Sequence, residues 1–526
     1  MANAPAVLTA TTTSGIDYAK ELNPQQLQAA TSLNGHYLVI AGAGSGKTRT
    51  LVYRVAYLIE QGIAPQSILL LTFTRKAAQE MLSRAATLLD ASCLKIVGGT
   101  FHAYAYQVLR RYAQQLGYAD NFTVMDTADA ESLIKMVLHE PEFVEQKQRL
   151  PKATVLASLI SKSANTGWSL PAIIAKSAPQ YKHLATEIGS IAHNYRQQKI
   201  QKSLMDFDDL LLYLKQLLQD NRVIGPQLAN AHQYIMVDEY QDTNQLQAEI
   251  VALLAKVHGN LLVVGDDSQS IYSFRGANFK NIMAFPQMFP DCQIITLEQN
   301  YRSTQPILTF SNAVLNRVKE KYSKRLFSDI LSEQKPLYIR PQHEADEATI
   351  ICQAIQQLQQ AGLPLGDIAI LFRAASHSHH LEIALTQQAI PFIKYGGIRF
   401  AESAHIKDLL ALLNLIRNPR DAIAWNRILV LMDGLGAKTA AEIIREAVDH
   451  QRGYDVLVAD QFSGKKYASA LAALWQTIHD FQAATTTLSE KITPVLNFYL
   501  PFLSLCQDSY FFYHGGSVRL ANKAHF

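Results

Sequence analysis

The sequence predicts an α/β fold in which two sheet-building stretches are each interrupted or followed by a purely helical one. Three observations carry this. Between Tyr37 and Thr296, six short apolar runs alternate with helical patterns. Between roughly Arg110 and Ser203 the strand signal vanishes. After Thr296 a second α/β rhythm begins, and from about Phe400 the chain reads helical again.

The first-stretch runs are "YLVIAG", "SILLLTFT", "KIVGGTF", "QYIMVDE", "NLLVVGD" and "CQIITLE". Each is continuously apolar rather than alternating, as expected of parallel strands covered on both faces. Helical segments between them make a wound, mostly parallel sheet. In the gap, "ESLIKMVL", "ATVLASLISKSAN" and "LATEIGSIAHNYRQQK" read as helices of an insertion. The second rhythm runs "KPLYIRP", a long helix from Glu344, "DIAILFR", another helix, then "PFIKYGG".

Bulk properties set limits. A chain of 526 residues is too long for one core. A hydrophobic share of 48% with 18% charged residues is that of an ordinary soluble protein. With a net charge of only +3, a nucleic-acid surface has to be a local groove. The four cysteines, Cys93, Cys292, Cys352 and Cys506, have neither metal-like nor disulfide-like spacing. The first residues lack a basic start and a long apolar run, so a short disordered tail is expected rather than a signal peptide. With no stretch near a membrane span, a cytoplasmic protein is expected.

Chemistry enters at "AGAGSGKT", Ala41 to Thr48, between the strand "YLVI" and a helix. It fits the phosphate-loop pattern, with Ala41 where the first Gly often stands. Gly42, Ala43, Gly44, Ser45 and Gly46 would turn backbone N–H groups onto phosphate oxygens at a helix N-terminus. Lys47 would reach the β- and γ-phosphates, and Thr48 would offer its hydroxyl to Mg²⁺. The alternative is a chance Gly-rich turn. At average composition the pattern arises about 0.04 times in a chain of this length, before the strand–loop–helix context is counted. "YIMVDEYQDTN" supplies the partner: Asp238 for Mg²⁺ and Glu239 to deprotonate the attacking water, which reads as a hydrolase.

With these two in place the chain resembles the UvrD/Rep/PcrA family of superfamily 1 DNA helicases. The resemblance rests on nine ordered segments: "LNPQQLQAA", "AGAGSGKTRT", "LTFTRKAAQEM", "GGTFHAYAY", "MDFDDLL", "VDEYQDTNQLQ", "VVGDDSQSIYSFRGA", "LEQNYRST" and "YGGIRFAESAHIKDLL". It covers about Leu22 to Asn418. It implies two RecA-like P-loop domains with helical insertions, the second domain incomplete. The expected layout is a disordered tail at 1–20, domain 1A at 21–110 and 204–296, and insertion 1B at 111–203. The first part of domain 2A follows at 297–398, insertion 2B at 399–505, and an atypical tail at 506–526.

The resemblance implies roles residue by residue. Gln26 reads the adenine edge, while Arg49 and Tyr301 sandwich the base. Gln269 senses the γ-phosphate, and Arg302 is an arginine finger supplied by the second domain. Single-stranded DNA would lie on Phe73, Arg75, His102, Tyr272, Phe274 and Arg275. Bases stack on aromatic faces without regard to sequence, which suits a motor. Without the family, core packing would be the better reading of Tyr272 and Phe274. Arg75 stands where the family usually has Asn, and Phe274 where it has Trp.

The implied activity is ATP- and Mg²⁺-dependent DNA unwinding or translocation, of 3′→5′ polarity, in repair or replication, on single strands and single-strand/duplex junctions. Two rivals stand beside it: an ATP- and single-strand-binding remnant with little unwinding, and the motor subunit of a helicase–nuclease. The family's later motifs, including a second arginine finger, find no counterpart, so a truncated chain is expected. Three weaker signals remain. "GLGAKTAAEII" (Gly434 to Ile444) has a helix–hairpin–helix shape, and an ordinary helix restart explains it equally well. "NRVKEKYSKR" reads as a solvated basic face. "SHSHH" reads as a surface turn rather than a metal site.

Overall fold

The computed structural model describes residues 15–144, 150–273, 277–395, 404–484 and 488–510. The chain divides into two compact units, Met1–Lys335 and Pro336–Phe526. In the first unit the strands are β1 (His36–Ala41), β2 (Ile68–Thr72), β3 (Val97–Thr100), β4 (Thr123–Val124), β5 (Leu204–Met205), β6 (Tyr234–Val237), β7 (Leu261–Gly265) and β8 (Gln293–Leu297). Six of them form one parallel sheet in the order β3-β2-β6-β7-β1-β8, and β4 pairs with β5 alone.

Continuous apolar runs are required because both faces of this sheet are covered. Leu38, Ile40, Leu69, Leu71, Ile235, Val237, Leu261 and Val263 belong to one core. Their chain neighbours Tyr37, Val39, Ile68, Leu70, Tyr234, Met236, Leu262 and Val264 belong to the other. Alternate residues point to opposite faces, so each of β1, β2, β6 and β7 feeds two cores at once, whereas the edge strands β3 and β8 are partly exposed. The strand order places the C-terminal ends of β6, β7 and β1 side by side. That is where open α/β sheets bind ligands.

The helical stretch between β4 and β5 includes helices Thr127–Leu138, Ala153–Thr166, Leu170–Ser177 and Ala185–Gln201. Its two ends meet in the register Thr123↔Leu204 and Val124↔Met205. A buried charge cluster lies at the exit. Lys199 Nζ contacts Asp206 Oδ2 at 2.7 Å and Asp209 Oδ2 at 2.6 Å. Tyr195 donates its hydroxyl to Asp206 at 2.8 Å. Asp206 and Asp209 also form the capping box of helix Phe207–Asp220, which gives the acids of "MDFDDLL" a structural task.

The basic run ending at Arg325 is solvated only in part. Lys324 buries its side chain against Asp266 and Asp267. The expected solvated face fails there because two carboxylates leaving the end of β7 need a counter-charge.

In the second unit, helices Glu344–Gln360 and His379–Gln387 share a small core of Ala348, Cys352, Ile355, Leu381, Leu385 and Ile390. The segments expected as strands, 335–341, 367–373 and 391–395, form no ladder among the described residues. Leu337, Tyr338 and Leu371 are 87%, 90% and 93% exposed. A parallel strand depends on distant neighbours for its hydrogen bonds and cover; among the described residues none of the three segments has a ladder partner, and only 367–373 has some cover, through Ile368 and Ile370. The rest is helical, with Trp425 in its core. There Asp408 accepts from Arg427 Nε at 2.6 Å and from the Tyr499 hydroxyl at 2.7 Å.

Candidate nucleotide site and nucleic-acid surface

The phosphate loop leaves β1 at Ala41 and enters helix Lys47–Glu60 through Gly46, at φ 83°. Gly44 also has a positive φ, 74°, and a Cβ there would come within 2.7 Å of Asn300 Nδ2. Glycine is therefore required at both positions, for backbone conformation and for close approach. Gln26 is buried. Its Nε2 donates to Ser45 O at 2.9 Å, and its Oε1 accepts from Asn23 N at 3.2 Å. In this arrangement Gln26 braces the loop, and reading an adenine edge requires its amide to release one of these bonds.

Lys47 Nζ lies between the two oxygens of Glu239, at 2.9 and 2.8 Å. β6 delivers Asp238 and then turns sharply, holding Glu239 at φ 52°, ψ 44°. A non-glycine residue in this left-handed region costs about 1–3 kcal/mol, a strain that gathers at functional sites. Burial, and then the neighbouring Glu239 charge, pushes the Asp238 carboxyl up to about 6, against the pull of Lys47. The same two causes push Asp242 up to about 6. Each of these acids keeps one buried oxygen, Oδ1, without a hydrogen-bond partner. Asp238 and Asp242 thus each keep an oxygen that a divalent cation would satisfy on binding, although with Glu239 they form no ready-made metal cluster.

β7 ends in Gly265, and Asp266 then caps the turn 267–269. Gln269 Nε2 donates to Asp266 Oδ2 at 2.7 Å. On the other side β8 runs straight into "QNYRS". Tyr301 N donates to Gly44 O at 2.9 Å, and the Asn300 amide donates to Ala43 O. Asn300 Oδ1 accepts from Arg302 N at 2.9 Å and Ser303 N at 2.7 Å. Arg302 thus stands exposed over the phosphate loop, in the same compact unit as that loop. Asn300 was not singled out in the sequence, although it sits inside "QNYRS". Its signal was a buried amide next to two exposed residues.

The expected adenine sandwich is not assembled. Arg49 lies over the Tyr53 ring, 4.9 Å from its centroid, and bonds Glu21. The Tyr301 hydroxyl donates to Gln299 Oε1 at 2.8 Å and accepts from Asn23 Nδ2 at 2.9 Å. Glu21 is a carboxylate within reach of Arg49 and forms a charge-assisted bond with the guanidinium. Thr48 is half-buried in the first helical turn.

Among the expected DNA contacts, Phe73 stacks on Tyr272. Arg75 is exposed as the first residue of helix Arg75–Leu88, where a cation opposes the helix dipole and a phosphate would relieve it. His102 packs edge-on against Phe207, with centroids 5.8 Å apart. Burial lowers its pKa, so it offers a neutral ring at pH 7. Phe207, half exposed inside "MDFDDLL", is an aromatic that the sequence reading passed over. Phe274 and Arg275, and the segment 396–403 of "YGGIRFAES", lie outside the described residues. Among the described residues no cluster of three or more His, Cys, Asp or Glu side chains has a metal-holding arrangement. No described helix is long and apolar enough to cross a membrane.

A parallel sheet with a glycine loop at β1, an Asp-Glu pair at β6 and a polar turn at β7 defines the P-loop class of nucleotide-binding folds. Residues 22–290 match the UvrD/REP helicase N-terminal domain and residues 295–487 the UvrD-like helicase C-terminal domain, and the chain belongs to the UvrD/Rep helicase family. It is 36% identical over 484 residues to a protein of Staphylococcus epidermidis named ATP-dependent DNA helicase PcrA, covering 91% of this chain and 66% of that one. The protein of the same name from Staphylococcus aureus is 35% identical over 494 residues, covering 93% and 64%. The chain thus spans about two thirds of the length of these relatives.

Proposed function

We propose that this chain is an ATP-dependent motor on single-stranded DNA, a helicase or translocase moving 3′→5′. The observation that carries the reading is a single loop with two ends. At one end Gln269 hangs from Asp266 beside the strand that holds Glu239; at the other Tyr272 stacks on Phe73. A change at the nucleotide therefore has a short path to an aromatic platform for bases.

In this reading Lys47 leaves Glu239 for the β- and γ-phosphates, and Glu239 then takes the proton of the attacking water. Thr48 and Asp238 would hold Mg²⁺, which supplies charge neutralisation on the phosphates. Arg302 stabilises charge developing on the transferred group. Gln26, Arg49 and Tyr301 would take the adenine after releasing their present partners. The substrate would be single strands and single-strand/duplex junctions, in DNA repair or replication, in the cytoplasm.

A second reading, binding of ATP and single strands with little unwinding, is favoured by the unladdered, exposed segments of the second unit. One experiment separates the two: ATP hydrolysis with and without oligo-dT, beside strand displacement on 3′- and 5′-tailed duplexes. ATP-dependent displacement on the 3′-tailed duplex alone supports the motor. DNA-stimulated hydrolysis without displacement supports the second reading. Hydrolysis indifferent to DNA rejects both.

A further inference from the structure

One buried side chain outside the assigned set touches both the carboxylate of Glu239 and the sensor loop. Gln241 is 1% exposed. Its Nε2 donates to Glu239 Oε2 at 2.8 Å and, more weakly, to Asp242 Oδ2 at 3.4 Å. Its Oε1 accepts the backbone N–H of Asp266 at 2.9 Å, and the Gln241 backbone carbonyl accepts from Ser270 Oγ at 3.3 Å. Asp266 then holds Gln269, and Lys324 clamps Asp266 and Asp267 together.

The chemistry of this position is narrow. The carboxylate side needs a donor and the Asp266 side needs an acceptor, so the amide has one admissible orientation. Glutamate would set a third acid against Glu239 and Asp242. Leucine would leave the Asp266 N–H buried and unpaired. The backbone also makes room for this amide: a Cβ at Gly265 would come within 2.6 Å of Gln241 Oε1. The same Cβ would come within 2.8 Å of Ile282 Cδ1, so the amide and this isoleucine together require a glycine at that point of β7.

We propose that Gln241 is a positioning residue for ATP hydrolysis, holding the Glu239 carboxylate in place and joining it rigidly to the Gln269 loop. Glu239 and Gln269 then move as one body, with Lys324 as the fixed end of the linkage. This rests on the reading of Glu239 as the general base.

The test uses the whole chain with Gln241→Glu and Gln241→Leu, and Glu239→Gln as control. Steady-state hydrolysis with oligo-dT gives kcat and KM. Hydrogen exchange of residues 266–272, with and without a non-hydrolysable Mg·ATP analogue, reports the linkage without needing turnover. Both Gln241 variants should keep KM for ATP within about twofold while kcat falls roughly tenfold or more, as for a misplaced catalytic group. The analogue should alter exchange at 266–272 in the wild type and leave it unchanged in Gln241→Leu, although it still binds. If the leucine variant does not fold, Gly265→Ala, which displaces the amide without removing it, carries the same expectation. Unchanged kcat with a wild-type exchange response overturns the proposal. So does a loss in which kcat and thermal stability fall while KM for ATP rises, the signature of a space-filling residue. Turnover surviving Glu239→Gln removes the base reading itself. Turnover lost there beside wild-type Gln241 variants removes only the linkage.

Discussion

Phe73 and Tyr272 stack with ring centroids 4.8 Å apart and planes at 28°. One follows the end of β2 and the other lies in the loop after β7, the two strands that flank β6. The ring pair therefore belongs to the same end of the sheet as Asp238 and Glu239. Phe73 is 40% exposed, which core packing does not explain.

Replacing both rings by alanine should weaken oligo-dT binding by about 2–5 kcal/mol, at about 1–3 per stacked base. Fluorescence anisotropy measures it. Affinity should also fall with added salt, since phosphate contacts release counterions. Thermal stability lost with DNA affinity intact would mean that the rings only pack on each other.

Lys47→Ala should abolish ATP hydrolysis and leave the circular dichroism spectrum unchanged, because its present partner is a single half-buried carboxylate. Glu239→Gln should keep Mg·ATP binding and stop turnover, since the amide keeps the shape but cannot take a proton. Nucleotide titration beside a phosphate-release assay checks both. Binding lost in the glutamine variant would make Glu239 a structural residue.

Mg²⁺ should raise the melting temperature more at pH 7.5 than at pH 5. Asp238 and Asp242 are pushed up to about 6, so protons compete with the cation below that pH. The same shifts act on folding. A carboxyl with a raised folded pKa contributes stability that is fully present below its unfolded value near 4 and is lost as pH rises through 6. Asp238→Asn should therefore stabilise the metal-free chain at pH 7, by about 1–3 kcal/mol, and remove most of the Mg²⁺ response. A pH-independent Mg²⁺ shift would count against this assignment.

Asn300→Ala should detach the "QNYRS" turn from the phosphate loop, since its amide serves Ala43, Arg302 and Ser303 at once. We expect kcat to fall roughly tenfold, through misplacement of Arg302, with a smaller effect on folding. An unaltered rate would show that Arg302 is held by other means.

Local signals explain what the sequence reveals. Continuous apolar runs report two-sided burial, and the glycine loop and Asp-Glu pair each lie within a few residues of one strand end. What stayed hidden depends on pairings that no window can hold. Asn300 meets Ala43, Lys324 meets Asp266, and Gln241 meets the N–H of Asp266, all across long separations. Lys324 is instructive, since in its own neighbourhood it is one more basic residue. Arg49 is a similar case, since its bond to Glu21 joins it to an acid that no motif advertises. The three apolar segments of the second unit read locally as strands, yet strand formation is decided by neighbours.

The meeting of β4 and β5 at Thr123↔Leu204 makes the helical stretch between them look like a detachable cassette. Lys199 says otherwise. It stands in the last helix before the exit, and its partners Asp206 and Asp209 lie past it, on the cap of a helix whose Leu210, Leu211 and Leu214 enter the sheet's core. Excising the cassette would strand two buried acids without their counter-ion, a loss of about 3–5 kcal/mol. Grafts and deletions at this junction therefore have to carry Lys199 with the sheet or neutralise both acids, so the natural cut lies upstream of the lysine rather than at the strand pair.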